Sequence, residues 1–426
     1  MNVPLIFLWI AILLMLAKAS SLIERLGQPA VLGELLIGVA AGSLYLAGID
    51  FFDPIKTSGI IHFLAELGVV VLLFQIGIES SVKTMMKVGV PSFLVACVGV
   101  ILPQTAVYFL GPWLVPGLSG TAYLFLGATM TATSVGITAR VLQDLNKSHW
   151  PEARIIIGAA VIDDVLGLII LAVVSAIVMR GTVDAGTVSI IVVKAVAFLG
   201  GGMLIGTWLA PRLGRFFSII HTGLGMKFAV VISFGLVFAY IASLVGLAPI
   251  VGAFTAGLIL TPVYFNQFSD PPFVEDLKKV VAEERVKGPL AKKIDNVIET
   301  HSHRHILEFT EHLGHFLVPI FFVLTGMQVK IAALFDLKVL FMSAGVLIVA
   351  IITKVAAGAV AGKGMKKLAV GVGMVPRGEV GLIFANMGKA MGVMDDTVFS
   401  AIVVVIMLTT LITPPMLAAV FKRYKE

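Results

Sequence analysis

Two adjacent aspartates, Asp163 and Asp164, stand in the middle of the otherwise apolar run 155–179. A carboxylate at membrane depth costs about 2.5 kcal/mol or more even on the most lenient scale, so something must offset it: a cation, a proton or a fixed positive charge. On a helix, neighbours i and i+1 point about 100° apart, so the two carboxylates cannot share one partner in the same way. A natural division leaves one beside a fixed cation of the protein and the other facing a water-filled cavity. The chemistry this offers is the reversible holding of ions.

Other residues of the chain could join that chemistry. The stretch 127–141 crowds Thr129, Thr131, Thr133, Ser134 and Thr138 around Gly136. β-Branched and hydroxyl side chains weaken a helix and compete for its backbone partners. A break there would free carbonyl oxygens and expose two half-helix ends, and carbonyl, hydroxyl and carboxylate oxygens together suit a hard cation. A second such stretch, 371–389, contains Pro376, Gly371, Gly373, Gly378 and Gly381, with Arg377 and Glu379 beside them. Proline removes an amide donor and glycine weakens a helix. Arg377 and Glu379 are expected to pair with one another or with other buried charges. Lys354 interrupts another apolar run; it is expected within reach of the same depth or snorkelling to the cytoplasmic interface. Asp163, Thr133 and Glu379 each lie roughly 12–14 residues from a helix end, about 18–21 Å in. His301, His303, His305, His312 and His315 form a cluster that a pH sensor or metal site could use, although a solvated loop explains it as simply.

These residues need helices long enough to bring them to mid-membrane. The chain has 426 residues, of which 58% are hydrophobic and 13% charged, and a mean hydropathy of +1.04. A soluble domain of that composition would have more apolar surface than it could bury. The expected fold is an all-α polytopic membrane protein with about thirteen transmembrane helices. Their approximate spans are 4–24, 28–46, 58–78, 88–111, 119–143, 151–179, 186–210, 225–244, 246–262, 312–330, 338–361, 367–391 and 396–421. The first reads as a retained helix and not as a cleaved signal. With the N-terminus outside, only Lys56, Arg180, Lys330, Lys338 and Lys389 fall on external connections, and Lys194, Lys354 and Arg377 fall within spans. Every other Lys and Arg becomes cytoplasmic, as the positive-inside rule requires. The C-terminus is then cytoplasmic too. The single cysteine, Cys97, excludes an intrachain disulfide.

Glycines 27, 33 and 38 recur at the same spacing as 246, 252 and 257, seven helices later. An odd offset means that the second copy enters from the opposite side. The expected organisation is a pair of inverted six-helix repeats, about 4–179 and 225–421, joined by a linker helix at about 186–210, each contributing one broken crossing helix. The longest connection, about 264–311, carries a charged helical pattern expected on the cytoplasmic side.

The stretches GQPAVLGELLIGVAAG, LAELGVVVLLFQIGIES, TATSVGITARVL, VIDDVLGLI, PIFFVLTGM and GMVPRGEVGLIFA run in order over nearly the whole chain. As a set they resemble the monovalent cation:proton antiporter superfamily, specifically bacterial sodium/proton antiporters with an adjacent-aspartate motif in the Kef/NapA-like branch. The resemblance implies that Asp164 binds sodium or a proton and that Asp163 pairs with Lys354. It implies that Thr133 and Ser134 supply oxygens from the first broken helix, and that Arg377 and Glu379 have a structural or coupling role. It also implies a homodimer in which a six-helix core moves against a scaffold. Potassium-efflux relatives commonly differ at the position of Asp163 and carry a cytoplasmic nucleotide-binding domain. This chain has both aspartates and ends at Glu426 soon after its last span, which favours sodium.

The expected activity is a secondary antiporter of the cell (inner) membrane, exchanging Na+ or Li+ for H+ through competition for one carboxylate. A second proton released by Asp163 would make exchange electrogenic, a stoichiometry the resemblance favours. Two rivals are a K+/H+ exchanger or gated K+ efflux protein of the same fold, and a membrane pH or ion sensor that moves nothing. No soluble-enzyme motif survives inspection: glycine clusters at 200–206 and 362–367 lack the strand–turn–helix setting of a phosphate loop. Neither an enzyme activity, a resident cofactor nor a nucleic-acid partner is expected.

Overall fold

The structure, a computed structural model, describes residues 3–26, 30–79, 89–145, 147, 150–180, 185–260, 268, 308, 310–331 and 337–423. Those residues form helices joined by short turns. Nine of the described helices are long and apolar enough to cross a bilayer, each near or above the ~20 residues a span needs. They include Gly59–Glu79, Gly89–Leu114, Pro151–Arg180, Leu224–Leu244, Leu337–Ala357 and Asp396–Lys422. Large apolar side chains are left exposed along them, among them Phe7, Met15, Phe109, Trp113, Leu204 and Phe341. Exposure on that scale in one chain is the mark of a lipid-facing surface.

The two spans expected to be broken are interrupted. The first runs as Gly120–Thr129, then a turn and a non-helical stretch, then Val135–Asp144. The second runs as Lys367–Gly373, a stretch through Pro376, then Glu379–Ala390. The expected linker helix at 186–210 is longer than its apolar run, spanning Ala185–Ile220. It continues past Pro211, where the Arg212 guanidinium lies 3.8 Å from the Trp208 ring and donates to the Trp208 carbonyl. The charged pattern at 274–298 lies outside the described residues.

The chain divides into two compact units. The first comprises 1–66, 82–193 and 319–426. It contains both interrupted helices, the aspartate helix Pro151–Arg180, the lysine helix Leu337–Ala357 and the last helix. One core cluster joins Ile156, Ala159 and Trp150 to Val370, Met374 and Phe421. The Trp150 and Phe421 rings meet edge-on at 5.3 Å. The second unit comprises 67–81 and 194–318. Its core is aromatic, with Phe74, Phe234, Phe238 and Phe268 packed on Ala253, Ala256 and Ile259.

The echoing glycines mark where helices touch backbone to backbone. In the first unit, a Cβ on Gly38 would lie 3.0 Å from the Gly326 Cα, and one on Gly326 would lie 2.9 Å from the Gly38 Cα. In the second unit, a Cβ on Gly257 would lie 2.8 Å from the Gly77 Cα, and one on Gly77 would lie 3.0 Å from the Gly257 Cα. Only hydrogen fits at these crossings, the small-residue packing that helices in lipid rely on.

Candidate functional site

The first interruption arises where the hydroxyl residues are densest. The Thr129 hydroxyl donates to the Leu126 carbonyl at 2.6 Å and the Thr131 hydroxyl to the Ala128 carbonyl at 2.8 Å. The Met130 and Thr131 amides turn back to carbonyls three residues earlier, at 2.9 and 3.1 Å. This tightening closes the last turn of the half-helix. The second interruption closes the same way: the Met374 amide reaches the Gly371 carbonyl and the Val375 amide the Val372 carbonyl, both at 3.1 Å. Pro376 then has no amide with which to continue.

The two interruptions are bonded to one another. The Ser134 amide donates to the Pro376 carbonyl at 2.9 Å. The Thr133 hydroxyl donates to the Met374 carbonyl at 3.2 Å, and the Thr138 hydroxyl to the Gly373 carbonyl at 2.8 Å. Gly378 lies so close to Ser134 that a Cβ there would fall 2.7 Å from its Oγ. Backbone groups freed by each break are thus satisfied across the crossing, as burial demands.

Arg377 is fully buried at this crossing. Its guanidinium donates to the Ala132 carbonyl at 3.2 Å and reaches the Met374 and Ala350 carbonyls at 3.5 Å. The last helix fixes its main chain: the Arg377 amide donates to Thr409 Oγ1 at 3.3 Å, and the Thr410 hydroxyl donates to the Arg377 carbonyl at 2.6 Å. Half-helix C-termini carry partial negative charge, and the guanidinium offsets it there. The sequence reading paired Arg377 with Glu379 or other buried charges. Its described hydrogen bonds go to carbonyls, and its charge also bears on buried Asp163; the Glu379 side chain lies outside the described residues.

Asp163 and Lys354 are both fully buried, and the Lys354 ammonium lies 3.2 Å from each carboxylate oxygen of Asp163. Thr133 and the Arg377 charge also bear on Asp163. Lys354 therefore neither snorkels nor stands apart from the aspartates. Gly99, on the helix Gly89–Leu114, leaves room beside it: a Cβ there would sit 3.5 Å from Lys354 Nζ. Asp164 follows on the next helical position and is 4% exposed. Thr133 and Ser134 are buried at 1% and 3%. Among these groups, the Asp163 carboxylate and the Thr133 hydroxyl are brought together, and carboxylate and hydroxyl oxygens are donor types that suit a hard cation.

His301, His303 and His305 lie outside the described residues. His312 and His315 are exposed on the helix at 310–327, their ring centroids 6.5 Å apart. Among the described residues no group of His, Cys, Asp or Glu could hold a metal. The residues missed by sequence reasoning are Thr409 and Thr410; three threonines in five positions, 409–413, of an apolar helix were the available signal.

The family described as sodium/hydrogen exchanger, transmembrane, matches residues 10–282 and 296–423. The chain is 35% identical to the high-affinity Na(+)/H(+) antiporter NhaS3 of Synechocystis, over 94% of this chain and 86% of that protein. It is 33% identical to the Na(+)/H(+)-K(+) antiporter GerN of Bacillus cereus, over 97% of this chain and 96% of the other. In fold it is similar to the sodium proton antiporter MjNhaP1 of Methanocaldococcus jannaschii. That likeness has a TM-score of 0.65 at 13% identity and covers 98% and 97% of the two chains.

Proposed function

The chain belongs to the sodium/hydrogen exchanger family, and from that premise we propose that it exchanges Na+ for H+ at the buried carboxylate of Asp164. One observation carries the assignment. Lys354 neutralises Asp163 symmetrically at 3.2 Å, while Asp164 points about 100° away around the helix. Asp163 is held directly against its fixed counter-charge, and we assign the exchangeable ion to the neighbouring carboxylate.

Asp164 holds a cation or a proton, never both, so competition for one group couples the two fluxes. Ser134 and Thr133 supply neutral oxygens from the first break. The Asp163–Lys354 pair gives a second proton per cycle and makes exchange electrogenic. Alternating access, with the broken helices moving as part of a core, brings the site to each side in turn. The paired interruptions and the paired glycine crossings support two inverted repeats. The Lys and Arg distribution supports an N-terminus outside and a C-terminus in the cytoplasm of the cell membrane. The resemblance supports a homodimer.

The test is proton flux in proteoliposomes with sodium, lithium and potassium in turn, under an imposed voltage. Sodium or lithium should drive voltage-sensitive proton movement that Asp164→Asn abolishes. Flux persisting in that variant removes the assignment. Potassium is included because GerN is a Na(+)/H(+)-K(+) antiporter by name; a preference for it would change the substrate but not the site. A sensor would bind cation and move none.

A further inference from the structure

A second polar cavity lies within the first unit, away from the aspartates. Its volume is about 510 Å3, and its lining includes Tyr45, Asp53, Lys56, His62, Lys330, Lys389 and Asp396. Its walls are helix ends: Gly42 closes one helix, His62 lies in the first turn of another, Lys389 sits in the last turn of Glu379–Ala390 and Asp396 opens the last helix.

Three ammonium groups face two carboxylates here, and the pairing is incomplete. Lys56 donates to Asp53 Oδ1 and the Gly42 carbonyl, both at 2.8 Å. Lys389 donates to Asp396 Oδ1 and Gln328 Oε1, both at 2.9 Å. Among the described residues, Lys330 meets Asp396 Oδ2, at 2.8 Å. Each ammonium carries three donors. Counting partners among the described residues, one therefore remains on Lys56, one on Lys389 and two on Lys330. The Tyr45 ring, 5.1 Å from Lys56, and the Phe399 ring, 4.6 Å from Lys389, hold two of the three heads in place. His62 turns Nδ1 to the Ser58 carbonyl at 3.0 Å.

Excess positive charge, convergent spare donors and both Asp396 oxygens already engaged make this lining repel a cation and attract an oxyanion. The cavity lies in the size range of ligand pockets. A water occupies about 30 Å3, so the space far exceeds what one small oxyanion fills. We propose that this cavity binds the phosphate of a phosphorylated polar group, such as the headgroup of a phospholipid, at the level where helix ends meet headgroups.

The experiment is calorimetric titration of the purified protein in detergent with choline phosphate salt, with glycerol 3-phosphate and with dihexanoyl phosphatidylglycerol. Choline chloride at matched ionic strength is the blank. Saturable binding of at least one phosphate compound is expected. Tighter binding of the lipid assigns a headgroup; equal or tighter binding of the water-soluble compounds assigns a free phosphate ester. Lys330→Gln with Lys389→Gln should weaken binding roughly tenfold or more, because charge-assisted bonds are lost. Asp53→Asn removes a competing carboxylate and should tighten it. A fold defect would not move these variants in opposite directions. Binding of none of the three compounds, unchanged binding in the double variant, or weaker binding in Asp53→Asn overturns the proposal.

Discussion

Lys354 Nζ stands 3.2 Å from both oxygens of Asp163, equidistant, with both side chains fully buried. The arrangement sets a fixed counter-charge directly against one of two adjacent carboxylates. Removing one partner of a buried pair leaves an uncompensated charge, whereas replacing both can be nearly neutral. Lys354→Gln alone should therefore destabilise the protein by about 3–5 kcal/mol, and adding Asp163→Asn should recover most of it. Melting temperatures of the two single variants and the double variant in detergent measure this. Additive losses would mean that the two groups do not act on each other.

The hydroxyl bonds across the crossing should matter individually. Thr138→Val keeps the shape of the side chain but strands the Gly373 carbonyl, now held at 2.8 Å. The expected loss is about 1–3 kcal/mol, the cost of a buried acceptor left unmade. An unchanged melting temperature would show that the acceptor finds another donor.

Arg377 covers carbonyls contributed by three separate segments, at Ala132, Met374 and Ala350. Lysine keeps the charge but lacks the planar fork. Arg377→Lys should fall between wild type and Arg377→Met in stability, and both should lower exchange measured in vesicles. If lysine is fully tolerated in both measurements, charge alone is what this position supplies.

The glycine crossings give a matched pair of tests. Gly38→Val and Gly257→Val each place methyl groups where backbone Cα atoms of Gly326 and Gly77 already stand within 3.0 Å of the added Cβ. Each should cost about 1–3 kcal/mol or more through overpacking. Equal penalties at the two sites would support equivalent roles in two copies of one unit; a tolerated valine at either would count against the close approach seen there.

Much of this was legible in residue types. The neighbouring aspartates, the hydroxyl run at 129–138 and the Pro376–Arg377 element each break a local rule for an apolar helix, and such violations stand out without coordinates. The pairing of Asp163 with Lys354 was harder, because nothing local to position 354 says which way its side chain points; the resemblance, not the spacing, singled it out. The carbonyl acceptors of Arg377 were not legible, because every residue type carries a carbonyl. Ala132 lies 245 positions away, and alanine announces nothing about its backbone oxygen. Buried Glu34 and Lys227 escaped notice for the opposite reason: both fall near helix ends, where a charge is ordinary and only three-dimensional packing reveals its burial.

The hydrogen bonds joining Ser134 to Pro376, Thr133 to Met374 and Thr138 to Gly373 stitch together stretches of chain that are far apart in sequence. Neither stretch can slide along the other without tearing several of them at once. Under the alternating access proposed above, the seat for the ion would consequently travel intact, with discrimination between cations decided before departure and unchanged on arrival.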